Sequence, residues 1–164
     1  MTKMPVMLLM GLLPLALHAA SPGSVDKTGM PVPKMATAPG SQVMLEEGEL
    51  QWAPSPMGGS KGSQWTVLLG DPDKPGVVVI RVKNPAGYKL PMHWHSMEEQ
   101  VTVLEGDLTL RTEKGTRTLG PGGFFSMPAK MPHETSTVHG VTVQINEVGP
   151  TDIHFVNPAD DPGK

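Results

Sequence analysis

The sequence predicts an all-β domain, and three observations carry that prediction. First, 19 glycines and 18 prolines, 37 together in 164 residues, disfavour any fold built on long helices, because these are the two poorest helix formers. Second, from about residue 43 onward short apolar or alternating runs recur at roughly the spacing of strands in sandwiches and barrels. Third, the runs are separated by glycine-, proline- and aspartate-rich clusters that read as turns. The length is one domain's worth.

Taken in order, Met1-Thr2-Lys3 carries a positive charge, and Met4 to Leu17 is apolar and uncharged. Small residues follow at Ala19 and Ala20. This is the three-part pattern of a secretory signal over residues 1–20. Pro5, Gly11 and Pro14 leave the run too short and broken for a membrane span, and no Cys follows that could carry a lipid anchor. The expectation is a periplasmic or secreted protein without a membrane anchor. Residues 21–42 show no hydrophobic period and read as a flexible linker or N-terminal arm. Residues 43–164 are then the folded domain.

Within it, Gln64 to Leu69 reads as a strand followed by the turn Gly-Asp-Pro-Asp-Lys-Pro-Gly. Val77 to Lys83 (VVVIRVK) is continuous and β-branched, which predicts a strand covered on both faces. Gln100 to Thr112 holds two alternating runs across Glu105-Gly106-Asp107 and predicts a hairpin. Thr116–Leu119, Phe124–Met127, Glu134–His139 and Val141–Glu147 continue the series, and Ile153–Val156 is a candidate last strand.

Charge and composition narrow the function classes. Thirteen basic against sixteen acidic residues give a net charge of −3, no electrostatic basis for binding nucleic acid. With zero Cys, disulfide scaffolds and thiolate zinc sites are excluded. There is no phosphate-cradling glycine loop.

The chemistry concentrates in Gly87 to Gly106, GYKLPMHWHSMEEQVTVLEG. His93 and His95 are two apart, so on a strand both imidazoles leave one face and Trp94 leaves the other. Glu99 shares their parity if the strand stays regular, and Glu98 does not. A further ligand must come from another strand, because one edge cannot surround an ion. His133, in Met-Pro-Ala-Lys-Met-Pro-His, is the candidate.

Gly87, His93, His95, Glu99 and Gly106 match the first cupin motif position for position, and Gly122, Pro128 and His133 match the second. The tract from about Leu50 to Asp161 resembles small exported single-domain cupins near the ChrR-like group. Lys130 stands where the second motif usually has Gly, and Thr137 where it often has Asn. The resemblance implies a cupin-type β jelly-roll barrel holding one divalent transition metal (Fe, Mn, Ni, Cu, Co or Zn) through His93, His95, Glu99 and His133. It also implies a homodimer, for which the segment Val43 to Trp52 is a candidate exchanged strand.

Other residues near these motifs carry alternatives. Met92, Met97, Met127 and Met131 are candidates for adaptable packing around a substrate pocket, with thioether affinity for copper as the other reading. Tyr88 is a candidate acid or hydrogen-bond donor, or else a core or rim tyrosine. Gln144 and Asn146 share a strand face and are candidate pocket residues. His139 and His154 read as surface histidines, and Trp52 and Trp65 as core or interface.

The expected function is that of an exported metalloprotein, a dioxygenase-like oxidoreductase acting on a small organic molecule, with Glu99 as ligand or base. The alternatives are a non-catalytic cupin that binds or senses a metal or small ligand, and a metal-free assembly module.

Overall fold

A computed structural model of the chain describes residues 42–161; the expected signal segment and nearly all of the expected arm lie outside them. Eleven strands are described: β1 (Ala53–Pro54), β2 (Gln64–Leu69), β3 (Gly76–Asn84), β4 (Lys89–Trp94), β5 (Glu99–Gly106), β6 (Leu108–Thr112), β7 (Gly115–Leu119), β8 (Phe124–Met127), β9 (His133–Ser136), β10 (Val141–Gly149) and β11 (His154–Phe155). They form a six-stranded sheet in the order β1-β2-β3-β10-β5-β8 and a five-stranded sheet in the order β11-β4-β9-β6-β7. The pairings are antiparallel, and the architecture is a β jelly roll.

Side-chain alternation builds the core between the sheets. On β10, Val141, Val143, Ile145 and Glu147 are buried while Thr142, Gln144 and Asn146 turn to the other face. On β3, Val78, Ile80 and Val82 are buried, each such burial stabilising by about 1.5–3 kcal/mol. The expectation that this strand is covered on both faces is corrected: Val77 is 61% exposed. Its sheet is antiparallel, and such sheets commonly keep one face toward solvent.

The expected hairpin through Glu105-Gly106-Asp107 is also corrected. β5 pairs with β10 and β8, whereas β6 pairs with β7 and β9, so the chain crosses from one sheet to the other at this point. Gly106 has φ +75°, and a Cβ there would collide with the Gly140 carbonyl oxygen. The Asp107 carboxylate accepts from the backbone N–H groups of Val138 and His139. Two neighbouring corners of the barrel are thereby tied together.

The segment before β1 forms a 3-10 turn at Glu47–Glu49. Leu50 is buried within the same chain, and Lys83 of β3 lies over the Trp52 ring at 4.4 Å. Among the described residues no helix is long and apolar enough to cross a membrane.

Candidate metal centre

The five-stranded sheet supplies the imidazoles. His93 lies on β4 and pairs in register with His133 at the start of β9, so both rings enter the barrel side by side, with centroids 4.2 Å apart. His95 sits one residue past the end of β4, its ring 5.0 Å from His93 and 5.5 Å from His133. All three are buried, and one ligand nitrogen from each lies within 4.8 Å of the others.

Glu99 reaches the same place by a different route from that expected. β4 ends at Trp94, the chain turns through residues 95–98, and Glu99 opens β5 in the opposite sheet. Parity along a continuous strand therefore does not position it. Its carboxylate oxygens lie 3.8 Å from His95 Nε2 and 3.4 Å from His133 Nε2, while the grouping within 4.8 Å comprises the three imidazoles alone. Glu98 is exposed and accepts from Gln100 and Ser126.

A metal fits this donor set. Each ring has its Nδ1 against a backbone carbonyl: His93 with Pro91 at 2.6 Å, His95 with Asp152 at 2.5 Å, and His133 with Met131 at 3.1 Å. A carbonyl only accepts, so each Nδ1 carries a proton, and the neutral form of each ring keeps its lone pair on Nε2. The Nε2 atoms of His95 and His133 are buried without a hydrogen-bond partner. Buried polar atoms are normally satisfied, and carbonyl-oriented imidazoles are what metal-ligating histidines show.

The electrostatics agree. Burial first, and then the His133 ring, push His93 down to about 4, against the pull of the Pro91 carbonyl, so this ring is neutral and ready to donate at neutral pH. Burial of Glu99 opposes its ionisation, but the imidazoles beside it, His133 foremost, outweigh that when they present a proton toward it and hold the carboxyl below its usual range; a bound cation would take the place of that proton.

Two acidic residues that the sequence did not single out surround the cluster. Asp152 gives its carbonyl to His95, while its carboxylate accepts from the Ser96 backbone N–H at 2.8 Å and meets His154 Nε2 at 3.1 Å. His154 stacks on Trp94 at 4.0 Å between ring centroids. It is therefore part of a strap that holds the ligand strand. Glu147 pairs in register with Glu99; burial first, then the charges of Glu99 and Asp152, push it up to about 8. Its inward parity after Val141, Val143 and Ile145 was a signal in the sequence; for Asp152, in a loop, there was none.

The imidazoles and Glu99 open onto a cavity of about 40 Å³ between the sheets. The methionines and polar residues that the sequence suggested as pocket residues do not line this cavity, which corrects that expectation. Gln144 and Asn146 face out of the barrel, since Val143 and Ile145 take the inward positions. Met92 has the opposite parity to His93, Met97 is exposed in the turn, Met127 is buried at the end of β8, and Met131 is half-buried in the loop whose carbonyl holds His133. The methionine that does line the cavity is Met57. Tyr88 lines it too, but its hydroxyl donates to the Gly58 carbonyl at 2.8 Å, and burial raises its pKa. It pins the loop before β2 and is not placed as an acid at the metal end.

Residues 80–148 match the family model described as a cupin domain. Three solved structures are similar in fold. The polyketide cyclase RemF from Streptomyces resistomycificus superposes with a TM-score of 0.66 at 21% identity, covering 74% of this chain and 90% of its own. A protein proposed to be an acetylacetone dioxygenase, from Methylibium petroleiphilum, gives 0.61 at 22% identity, covering 78% and 90%. Salicylate 1,2-dioxygenase from Pseudoaminobacter salicylatoxidans gives 0.53 at 14% identity, covering 60% and 30%. No curated protein matches the sequence.

Proposed function

We propose that the chain is a cupin-superfamily protein, on the match of residues 80–148 to the cupin domain model and the shared fold, and that it is an exported metalloenzyme of the dioxygenase type acting on a small organic molecule. One observation carries the reading: the inward Nε2 atoms of His95 and His133 are buried and unpartnered, in a cluster whose other ring nitrogens are all engaged by carbonyls. His93, His95 and His133 would hold one divalent transition ion, with Glu99 as the fourth donor. When bound, that ion supplies Lewis-acid chemistry and, if redox-active, electron transfer to or from a coordinated ligand.

The chain's own residues supply the rest. Neutral imidazoles leave the donor set with the single negative charge of Glu99, so one positive charge of a divalent ion stays uncompensated and attracts an oxyanion. Glu99 stands on the sheet opposite the rings, able to ligate or to hold a proton at a carboxylate oxygen. The apolar cavity walls limit water around the reacting end. Fold neighbours include proteins named as dioxygenases and one named as a cyclase, which supports small-molecule chemistry and leaves the reaction to experiment.

Export to a periplasm or beyond belongs to the same proposal and rests on the signal pattern of residues 1–20. So does a homodimer. Purification from the native compartment with elemental analysis, followed by oxygen-electrode screening of phenolic and keto-acid compounds, tests the reading. Stoichiometric metal with substrate-dependent oxygen uptake, both lost in His93→Ala and His95→Ala, is expected. Full metal without turnover of any compound would favour a binding or sensing role.

A further inference from the structure

The cavity itself restricts what can reach the ion, an inference that rests on the metal reading above. Its volume of about 40 Å³ is some three to four times what one water requires. Its walls are apolar and come from both sheets: Val82, Val101 and Ile145 from one, Leu90 and Leu108 from the other, with Phe125 closing against them.

The polar groups on the wall are few. The Asn84 side-chain oxygen accepts from Ser63 at 2.6 Å, and the Tyr88 hydroxyl is given to Gly58. Thr135 remains as a neutral hydroxyl. Among the described residues lining the cavity there is no Lys, Arg or Asp, and the one carboxylate is Glu99. A ligand's charged group can thus be compensated at the metal end and nowhere else along the wall. A second charge would be buried without a partner, which is strongly unfavourable.

We infer that the site takes small monofunctional oxygen ligands: molecules with one oxygen-bearing group at the metal and a short, uncharged apolar body of roughly one to three heavy atoms. Dicarboxylates, phosphorylated compounds and substituted aromatics are disfavoured in this cavity by charge or by size. Phe125 and Met57 set the size limit, the first as an apolar ring on the wall and the second as the flexible side chain of the loop that Tyr88 pins.

The test uses full-length protein loaded with Co(II), whose visible absorption reports a change of ligand without any turnover. Acetate, propionate, butyrate, hexanoate and benzoate are titrated beside malonate and succinate. Acetate through butyrate are expected to perturb the spectrum, with hexanoate and benzoate at least about tenfold weaker. Succinate is expected to bind at least about thirtyfold more weakly than butyrate, the effect of an unpaired buried charge. Phe125→Ala should move the length limit to hexanoate or beyond. Met57→Ala, in a loop where folding is less at risk, should move it in the same direction.

Succinate binding as well as butyrate, benzoate binding as well as acetate, or a spectrum that no carboxylate changes would overturn the inference while leaving the metal reading standing. Failure of the protein to retain Co(II) at all would overturn both.

Discussion

Replacing Asp152 with Ala should loosen the metal centre without touching a ligand. The carboxylate is 35% exposed and accepts from the Ser96 N–H at 2.8 Å, next to ligand His95, and from His154 at 3.1 Å. Hydrogen bonds to a charged acceptor contribute about 1.5–3 kcal/mol each when well formed. Discounted for exposure, the pair should contribute about 2 kcal/mol, seen as a lower urea midpoint at unchanged slope. The larger consequence concerns the carbonyl of the same residue, which orients His95 through Nδ1. Once the side-chain anchors are gone that carbonyl is free to drift, and losing such an orienting partner typically lowers metal affinity by about ten- to a hundredfold. The assay is the rate at which a chelator strips Co(II) from the Ala variant, from Asp152→Asn, which keeps an acceptor for Ser96, and from half-buried Asp160→Ala as control. Faster release in the Ala variant, largely rescued by Asn, is expected. An Ala variant that releases metal at the parent rate would show that the strap does not position His95, even if stability falls.

Lys130 sits at φ 63°, a conformation costing a non-glycine residue about 1–2 kcal/mol. Set against the added unfolded-state freedom of glycine, Lys130→Gly should stabilise by about 0.5–1 kcal/mol in urea titration. Gly106→Ala should destabilise by about 3 kcal/mol or more, combining the left-handed penalty with a Cβ driven into the Gly140 oxygen; a loss below about 1 kcal/mol would contradict the tight crossover. The N–H of Val138, above all, holds the Asp107 carboxyl below the ordinary aspartate range. The stabilisation it gives is therefore fully present above the unfolded-state value and is lost as pH falls through the lower folded value. Asp107→Asn should show its full deficit at about pH 6 and a shrinking one below about pH 4, measured by urea midpoints across pH.

The strands were legible because their residues alternate, and the two histidines were legible because an i, i+2 pair on a strand shares a face. Where the sequence misled, a local rule met a change of sheet. Glu105-Gly106-Asp107 has the composition of a hairpin turn, yet Gly106 serves a close crossover between sheets. Glu99 keeps the right parity with His95 only by coincidence of count, since a turn separates them and its strand lies opposite. Gln144 and Asn146 share one face, as expected, but alternation cannot say which face is inside; the apolar Val143 and Ile145 decide that. The four methionines near the motifs are near in sequence and not in the cavity, whereas Met57 arrives from a loop some thirty-six residues before His93. Asp152 gave no local signal because its work is done through a backbone carbonyl. Lys130 was visible as a departure from glycine, and its positive φ is the physical meaning of that departure.

Convergence of three imidazoles on one ion through their Nε2 atoms can be read by X-ray absorption at the metal edge of protein loaded to one equivalent. Three histidine nitrogens at about 2.0–2.1 Å, the range for a zinc–imidazole bond, with the remaining ligands oxygen, is the expected spectrum. A spectrum requiring one imidazole or none, or protein that binds no ion with His93, His95 and His133 intact, would be incompatible with the site described.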